Sequence, residues 1–232
     1  MSPMRNVTEV FPRGLIVSCQ ALEHEPLHGS EIMARMARAA EMSGAVGIRA
    51  NTPQDIRAIT AAVALPVIGI FKQDHEGYDV FITPTFESAR AVAEAGSVMV
   101  ALDATPRPRP NGEDLATIVR RLHEECRVLV MADCSTADEA IRAAEIGCDV
   151  VSSTLSGYTP HSPKLDGPDF DMLEKVLSTV KVPVIAEGRY HHPDTVARAL
   201  EMGCHAVVVG GAITRPQEIT KRFVDRIAPV LN

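Results

Sequence analysis

Several things that would direct attention to membranes, nucleic acid or the cell exterior are missing from this chain. No apolar run, AVVVGGAI included, comes near the roughly 20 residues that cross a bilayer, so no membrane span is expected. The first residues, MSPMRNVTEVFPRG, hold no apolar signal core, which points to the cytoplasm. Basic residues are outnumbered, 23 Lys and Arg against 30 Asp and Glu, and the net charge of -7 leaves no basic stripe for a nucleic-acid partner. The five cysteines (Cys19, Cys126, Cys134, Cys148, Cys204) form no CxxC or CxxH pair and read as free thiols in a reducing compartment. Among eight histidines there is no metal-ligand spacing beyond the adjacent His191 and His192, whose side chains should point apart at a helix start, so no metal is expected. No GxGxxG follows an early strand, and with it goes the expectation of a nicotinamide cofactor. Low-complexity stretches and linkers are absent too, and 232 residues suit one domain over 1–232.

What is present is a regular alternation. Short apolar or β-branched runs lie at 15–19, 45–49, 66–72, 97–104, 127–134, 149–154, 183–188 and 206–211. They lack period-2 polarity, as parallel strands covered on both faces do. Between them fall amphipathic segments such as SEIMARMARAAEMSG, FESARAVAEAGS, STADEAIRAAEIGC and HPDTVARALEMGC, several ending on glycine. Eight such units predict an α/β fold, a single-domain (β/α)8 TIM barrel. The one long irregular connection, 73–85, includes FITPT, a candidate minor strand.

In such barrels chemistry collects at the C-terminal strand ends. Here those ends carry Gln20, Arg49 with Asn51, Lys72, Asp103, Asp133, Thr154 with Ser156, Glu187 with Arg189, and Gly210 with Gly211. The last two strands each run into a glycine turn and then a helix, AEGR at 186–189 and VVVGGAIT at 207–214. Turns without side chains there let backbone N–H groups and a helix N-terminus meet a phosphate, so Gly188, Gly210 and Gly211 are phosphate-binding candidates.

The strings SCQALxxEPL, GIRAN, GIFKQD, ITPT, ALDATPRPRP, ADCST, TLSGYT, AEGRYHHP and VVVGGAITRP resemble, in order and across nearly the whole chain, the motifs of the N-acetylmannosamine-6-phosphate 2-epimerase family, also called N-acylglucosamine-6-phosphate 2-epimerase. The resemblance implies a barrel isomerase of sialic acid and amino sugar catabolism. It implies inversion at C-2 of N-acetylmannosamine 6-phosphate by removing and returning a proton, no cofactor, and a homodimer. It places Lys72 and Glu187 on the catalytic positions, and Gln20, Arg49, Asp133 and Arg215 on substrate-contacting ones; Thr154 and Arg189 join the substrate-binding candidates from the strand ends. Gln73 stands where many relatives carry a basic residue, and Gly210–Gly211 where some have Gly-Ser, which bears on specificity more than on reaction class.

The chemistry asks for such residues whatever the name. Inverting a carbon beside a carbonyl needs a base and a proton donor placed around it. A lysine at its ordinary pKa of ~10.4 is neutral only about once in 2,500 at pH 7, so burial and Arg49 are expected to bring Lys72 toward 7–8. Plainer readings stand beside these. Lys72 could form a strand-end ion pair with an Asp, Glu187 could pair with Arg189 or Arg49, and Asp103 and Asp133 could cap the following helices. Arg107 and Arg109 read equally as substrate contacts or as solvent-facing loop residues. A phosphate-binding transferase resembling thiamine-phosphate synthase, and a catalytically silent phosphosugar sensor, are the competing functions. The closing FVDRIAPVLN fits either a last barrel helix or part of a dimer contact.

Overall fold

The computed structural model describes residues 6–231; the two ends of the expected 1–232 domain lie outside them. Eight parallel strands close on themselves in sequence order: β1 (Gly14–Cys19), β2 (Gly47–Asn51), β3 (Val67–Ile70), β4 (Met99–Asp103), β5 (Leu129–Asp133), β6 (Val150–Ser152), β7 (Val184–Glu187) and β8 (Ala206–Val209). Closure is made by β8 on β1, with Gly14 opposite Ala206 and Val17 opposite Val209. The predicted (β/α)8 barrel is therefore the fold, with six of the strands two or three residues shorter than their apolar runs.

The helices are α1 (Val7–Val10), α2 (Ser30–Met42), α3 (Pro53–Ala62), α4 (Phe86–Glu94), α5 (Leu115–Arg121), α6 (Ala137–Glu145), α7 (Phe170–Thr179), α8 (Pro193–Glu201) and α9 (Pro216–Leu231). Local chemistry starts them where the topology requires. Thr85 with Ser88 and Thr136 with Glu139 form reciprocal capping boxes on α4 and α6. Thr52, Asp114 and Asp169 each accept an orphan N–H at the starts of α3, α5 and α7. Strand residues alternate between two cores. One set (Ile16, Ile68, Met99, Met131, Ile185, Val208) fills the barrel interior, which Val7 and Phe11 complete; the other faces the helices.

Two departures matter for the site. β3 ends at Ile70, and only Ile68 and Gly69 pair with β4. Beyond that point residues 81–83, within FITPT, enter between the two strands: Gln73 N–H donates to Phe81 O, Thr83 N–H to Phe71 O, and Asp103 N–H to Ile82 O. The Thr83 hydroxyl donates to Ala101 O at 2.7 Å and accepts from Phe71 N. Lys72 thus sits in an antiparallel bridge with Ile82 rather than in a barrel strand.

The second departure is α9. It spans 16 residues, yet none of its described side chains is buried. Phe223, Val224, Ile227, Val230 and Leu231 all face outward, Phe223 71% exposed. Helix propensity and amphipathicity form it, while these apolar side chains stay exposed among the described residues.

Candidate active site

At the C-terminal ends of the strands lies a cavity of about 300 Å³. Its wall brings together Gln20, Arg49, Lys72, Thr154, Glu187, Gly188, Arg189, Gly210, Gly211 and Arg215. All ten were singled out from the sequence.

The deep end is a network of charges taken out of water. Arg49, 1% exposed, forks onto Asp133 through two bonds of 3.0 and 2.6 Å and reaches Glu187 at 3.0 Å. The Thr154 hydroxyl stands 2.8 Å from Asp133 and 3.0 Å from Glu187; its single proton serves one carboxylate at a time, and the Ser152 hydroxyl lies 2.8 Å behind it. Burial works against the Arg49 charge, but Asp133 and Glu187 more than offset it, so its pKa is raised. Burial also raises the Glu187 carboxyl, to about 7, with Asp133 adding to the effect and Arg49, Thr154 and Lys72 opposing it. Lys72 moves the other way. Burial, then Arg49 and Arg215, bring its ammonium down to about 8 against the pull of Glu187 and Asp133. Among the described residues its ammonium makes no ion pair, so the strand-end salt-bridge reading does not describe it. Its backbone N–H donates to Asn51 Oδ1, which fixes the chain as it leaves β3.

The other end is made of turns. Gly188 has φ 107°, a conformation that favours glycine, directly after β7. After β8, Gly210 O accepts from the N–H groups of Ile213 and Thr214, and the Thr214 hydroxyl donates to Ser18 O at 2.8 Å. Arg215 lies between Glu25, at 2.7 Å, and Glu218, at 3.5 Å.

Some candidates take other places. Arg189 lines the cavity, but its guanidinium donates to Gly167 O at 2.7 Å and to Ser156 O, pinning the loop after β6. Asp133 is wholly buried beneath Arg49 and does not reach the cavity surface; α6 is capped by Thr136, so Asp133 is not its cap. Asp103 accepts from Thr105 and Arg107 and lies outside the cavity. Of the two readings held for Arg109, the solvent-facing loop arginine is corrected. It is 5% exposed, donates to Pro84 O and is likewise absent from the cavity wall. His191 lines the cavity, and His192, the residue before α8, does not. Sequence reasoning missed Ser18, Tyr158, Tyr190, His191, Thr214 and Glu218 in the wall. Thr214 and Glu218 had a signal, since both follow a glycine turn at a helix start. The five cysteines are free, and burial pushes the Cys19 thiol up to about 12. No helix among the described residues is long and apolar enough to cross a membrane.

A half-buried lysine and a carboxyl of raised pKa share a barrel mouth that ends in glycine turns, which suits a barrel enzyme that moves protons. The family model NanE, provisionally described as N-acetylmannosamine-6-phosphate epimerase, matches residues 33–229. Relatives provisionally named N-acetylmannosamine-6-phosphate 2-epimerase are 52% identical in Caldanaerobacter subterraneus subsp. tengcongensis (94% of this chain, 93% of that one) and 53% identical in Clostridioides difficile (92% and 95%). The solved N-acetylmannosamine-6-phosphate 2-epimerase of Clostridium perfringens superposes with a TM-score of 0.90 at 49% identity, over 93% of each chain. Thiamine phosphate pyrophosphorylase of Pyrococcus furiosus, at 16% identity and a TM-score of 0.55, shares the fold alone. The chain belongs to the N-acetylmannosamine-6-phosphate epimerase family.

Proposed function

We propose that this chain is an N-acylglucosamine-6-phosphate 2-epimerase, converting N-acetylmannosamine 6-phosphate to N-acetylglucosamine 6-phosphate in the catabolism of sialic acid and amino sugars. One observation carries the reading: Lys72 and Glu187, displaced in opposite directions to about 8 and about 7, line one cavity with the glycine turns. Lys72 is the base. With its pKa near 8 about one lysine in ten is neutral at pH 7, which lightens the barrier by roughly 3 kcal/mol relative to an ordinary lysine. It takes the C-2 proton, made acidic by the neighbouring C-1 carbonyl of the open sugar. Glu187, protonated, returns a proton to the opposite face, and both groups then re-equilibrate with water. Arg49, held by Asp133, stabilises the oxygen that gains charge between the two steps. Gln20, Thr154 and Arg189 shape the sugar site. Gly188, Gly210, Gly211 and Arg215 hold the phosphate, whose binding orients the reacting carbon. Proton transfer alone is the chemistry, so the reading calls for neither a redox cofactor nor a metal.

Two further attributes belong to the reading. The expected cytoplasmic placement suits the free, largely buried thiols. The expected homodimer gains support from α9. Its bare apolar face lies on the same molecule as an apolar groove lined by Leu15, Val17, Ile32, Met36, Ala39 and Ile213, beside β1 and α2.

The test is to run the reaction on N-acetylmannosamine 6-phosphate in D₂O. The product should be the gluco epimer carrying deuterium at C-2. Product without deuterium after full conversion, or activity that requires NAD, overturns the mechanism.

A further inference from the structure

Glu218 is the third residue of α9, and its carboxylate folds back over the β8 turn. A β-carbon at Gly211 would collide with that carboxylate, its Cδ being 2.8 Å away. Glu218 therefore occupies the space directly above the backbone that the proposed function gives to phosphate, and it lines the cavity with Gly210, Gly211 and Arg215. It is loosely held. Its side chain is 43% exposed, and its one ion-pair partner among the described residues is Arg215 at 3.5 Å. Arg215 does not need it for charge balance: Glu25 sits 2.7 Å away, itself fixed by Leu22 N–H and Gln217 Nε2. The rim thus carries a surplus carboxylate in the place where an anion must enter.

Two anions sharing that space repel, and a phosphate monoester carries close to two negative charges at pH 7. For inorganic phosphate, the gain from the turn and Arg215 is set against the cost of moving Glu218. A phosphosugar brings the further contacts of its sugar to the deep end of the cavity, and these can supply that cost. We propose that Glu218 is a specificity gate on the phosphate cradle, a carboxylate that discriminates against bare inorganic anions and yields to the phosphosugar. It acts by repelling the wrong ligand rather than by improving the right one. The inference rests on the phosphate site assigned above and adds a selection step to it.

The experiment is Glu218→Gln, which keeps the shape and removes the charge at a half-exposed position. Calorimetric titration with inorganic phosphate gives affinity without turnover, and steady-state kinetics on N-acetylmannosamine 6-phosphate give KM and kcat separately. The variant should bind inorganic phosphate at least about threefold more tightly than the wild type, the scale of one partly exposed charge interaction. KM for the phosphosugar should fall by a smaller factor than the phosphate dissociation constant, since only that difference is selection, with the change in kcat/KM carried by KM more than by kcat. Glu218→Asp, which keeps the charge but shortens its reach over Gly211, should fall between the two. Phosphate affinity that is equal or weaker in Glu218→Gln, while the phosphosugar is still turned over, overturns the gate and leaves the proposed function standing. If neither protein binds inorganic phosphate and neither turns over the phosphosugar, the phosphate site falls and the gate with it.

Discussion

The two ends of this one cavity are built on different rules. At the deep end Arg49 and Asp133 are at most 1% exposed, and Arg49 reaches on to Glu187, itself 15% exposed. At the rim, Arg215 is 25% and Glu218 43% exposed, and much of the surface is bare backbone. Charges buried together cannot relax when a ligand arrives, so their cost was met in folding and their geometry is already set. Charges at a wet rim are cheap to move and weakly coupled. The same cavity can therefore hold a rigid charged centre, as the proposed proton transfer needs, and an adjustable rim.

Substitutions at the two ends should break along that line. The largest effect belongs to Lys72→Ala, expected to lower kcat at least about 10³-fold with the fold intact, since a positioned acid–base group supplies 10²–10⁴. A variant that keeps more than a tenth of wild-type turnover removes Lys72 from the chemistry.

Glu187→Gln comes next, with kcat down roughly 10²-fold and KM little changed, the mark of an interaction made in the transition state. It also sharpens the assignment of roles. In the wild type, groups titrating near 7 and 8 give a bell-shaped rate profile that rises through about 7 and falls above about 8, whichever of the two is the base. With Glu187 neutralised one limb survives. If Lys72 acts as the base, activity rises as its ammonium loses its proton; a surviving limb that falls with pH assigns it the acid role instead.

Asp133→Asn tests whether the deep end owes its rigidity to charge pairing. It leaves the buried Arg49 with half of its compensation, and the expected loss is about 3 kcal/mol or more of folding stability by chemical denaturation. A change of a few tenths would place Arg49 in a wetter setting than its 1% exposure describes.

At the rim effects should be smaller and should fall on recognition. Unphosphorylated N-acetylmannosamine is expected to be a poor substrate, and Gly211→Val, which drives a side chain into the space held by Glu218, should cost the phosphosugar most of the same advantage while leaving stability nearly unchanged. Comparable kcat/KM for free and phosphorylated sugars would remove the phosphate from its place in recognition.

The barrel was legible because buried parallel strands read as plain apolar runs and most of their polar terminal residues open on one mouth. Lys72, Glu187 and Arg49 could be picked out on that ground. What each side chain bonds to could not. Arg189 turns away to two carbonyls, Asp133 lies under Arg49, and Arg109 is buried, since side-chain direction is decided by contacts distant in sequence. The entry of residues 81–83 between β3 and β4 was visible only as the strand-like FITPT. The role of α9 was illegible for a simpler reason: a helix meant for its own barrel and one meant for another surface carry the same amphipathic pattern. Glu218 escaped notice because an acidic residue in the first turn of a helix is ordinary.

The closure of β8 on β1 has a consequence for the life of the chain during synthesis. Asp133 lies 84 residues beyond Arg49, and Arg215 lies 190 beyond Glu25. Val17 meets Val209 only when nearly the whole chain is present. Ring closure over such separations is late and entropically costly. A growing chain therefore offers neither the lysine–carboxylate centre nor the rim that would bind an anion until its last strand is out, and function switches on in one step with the final seam.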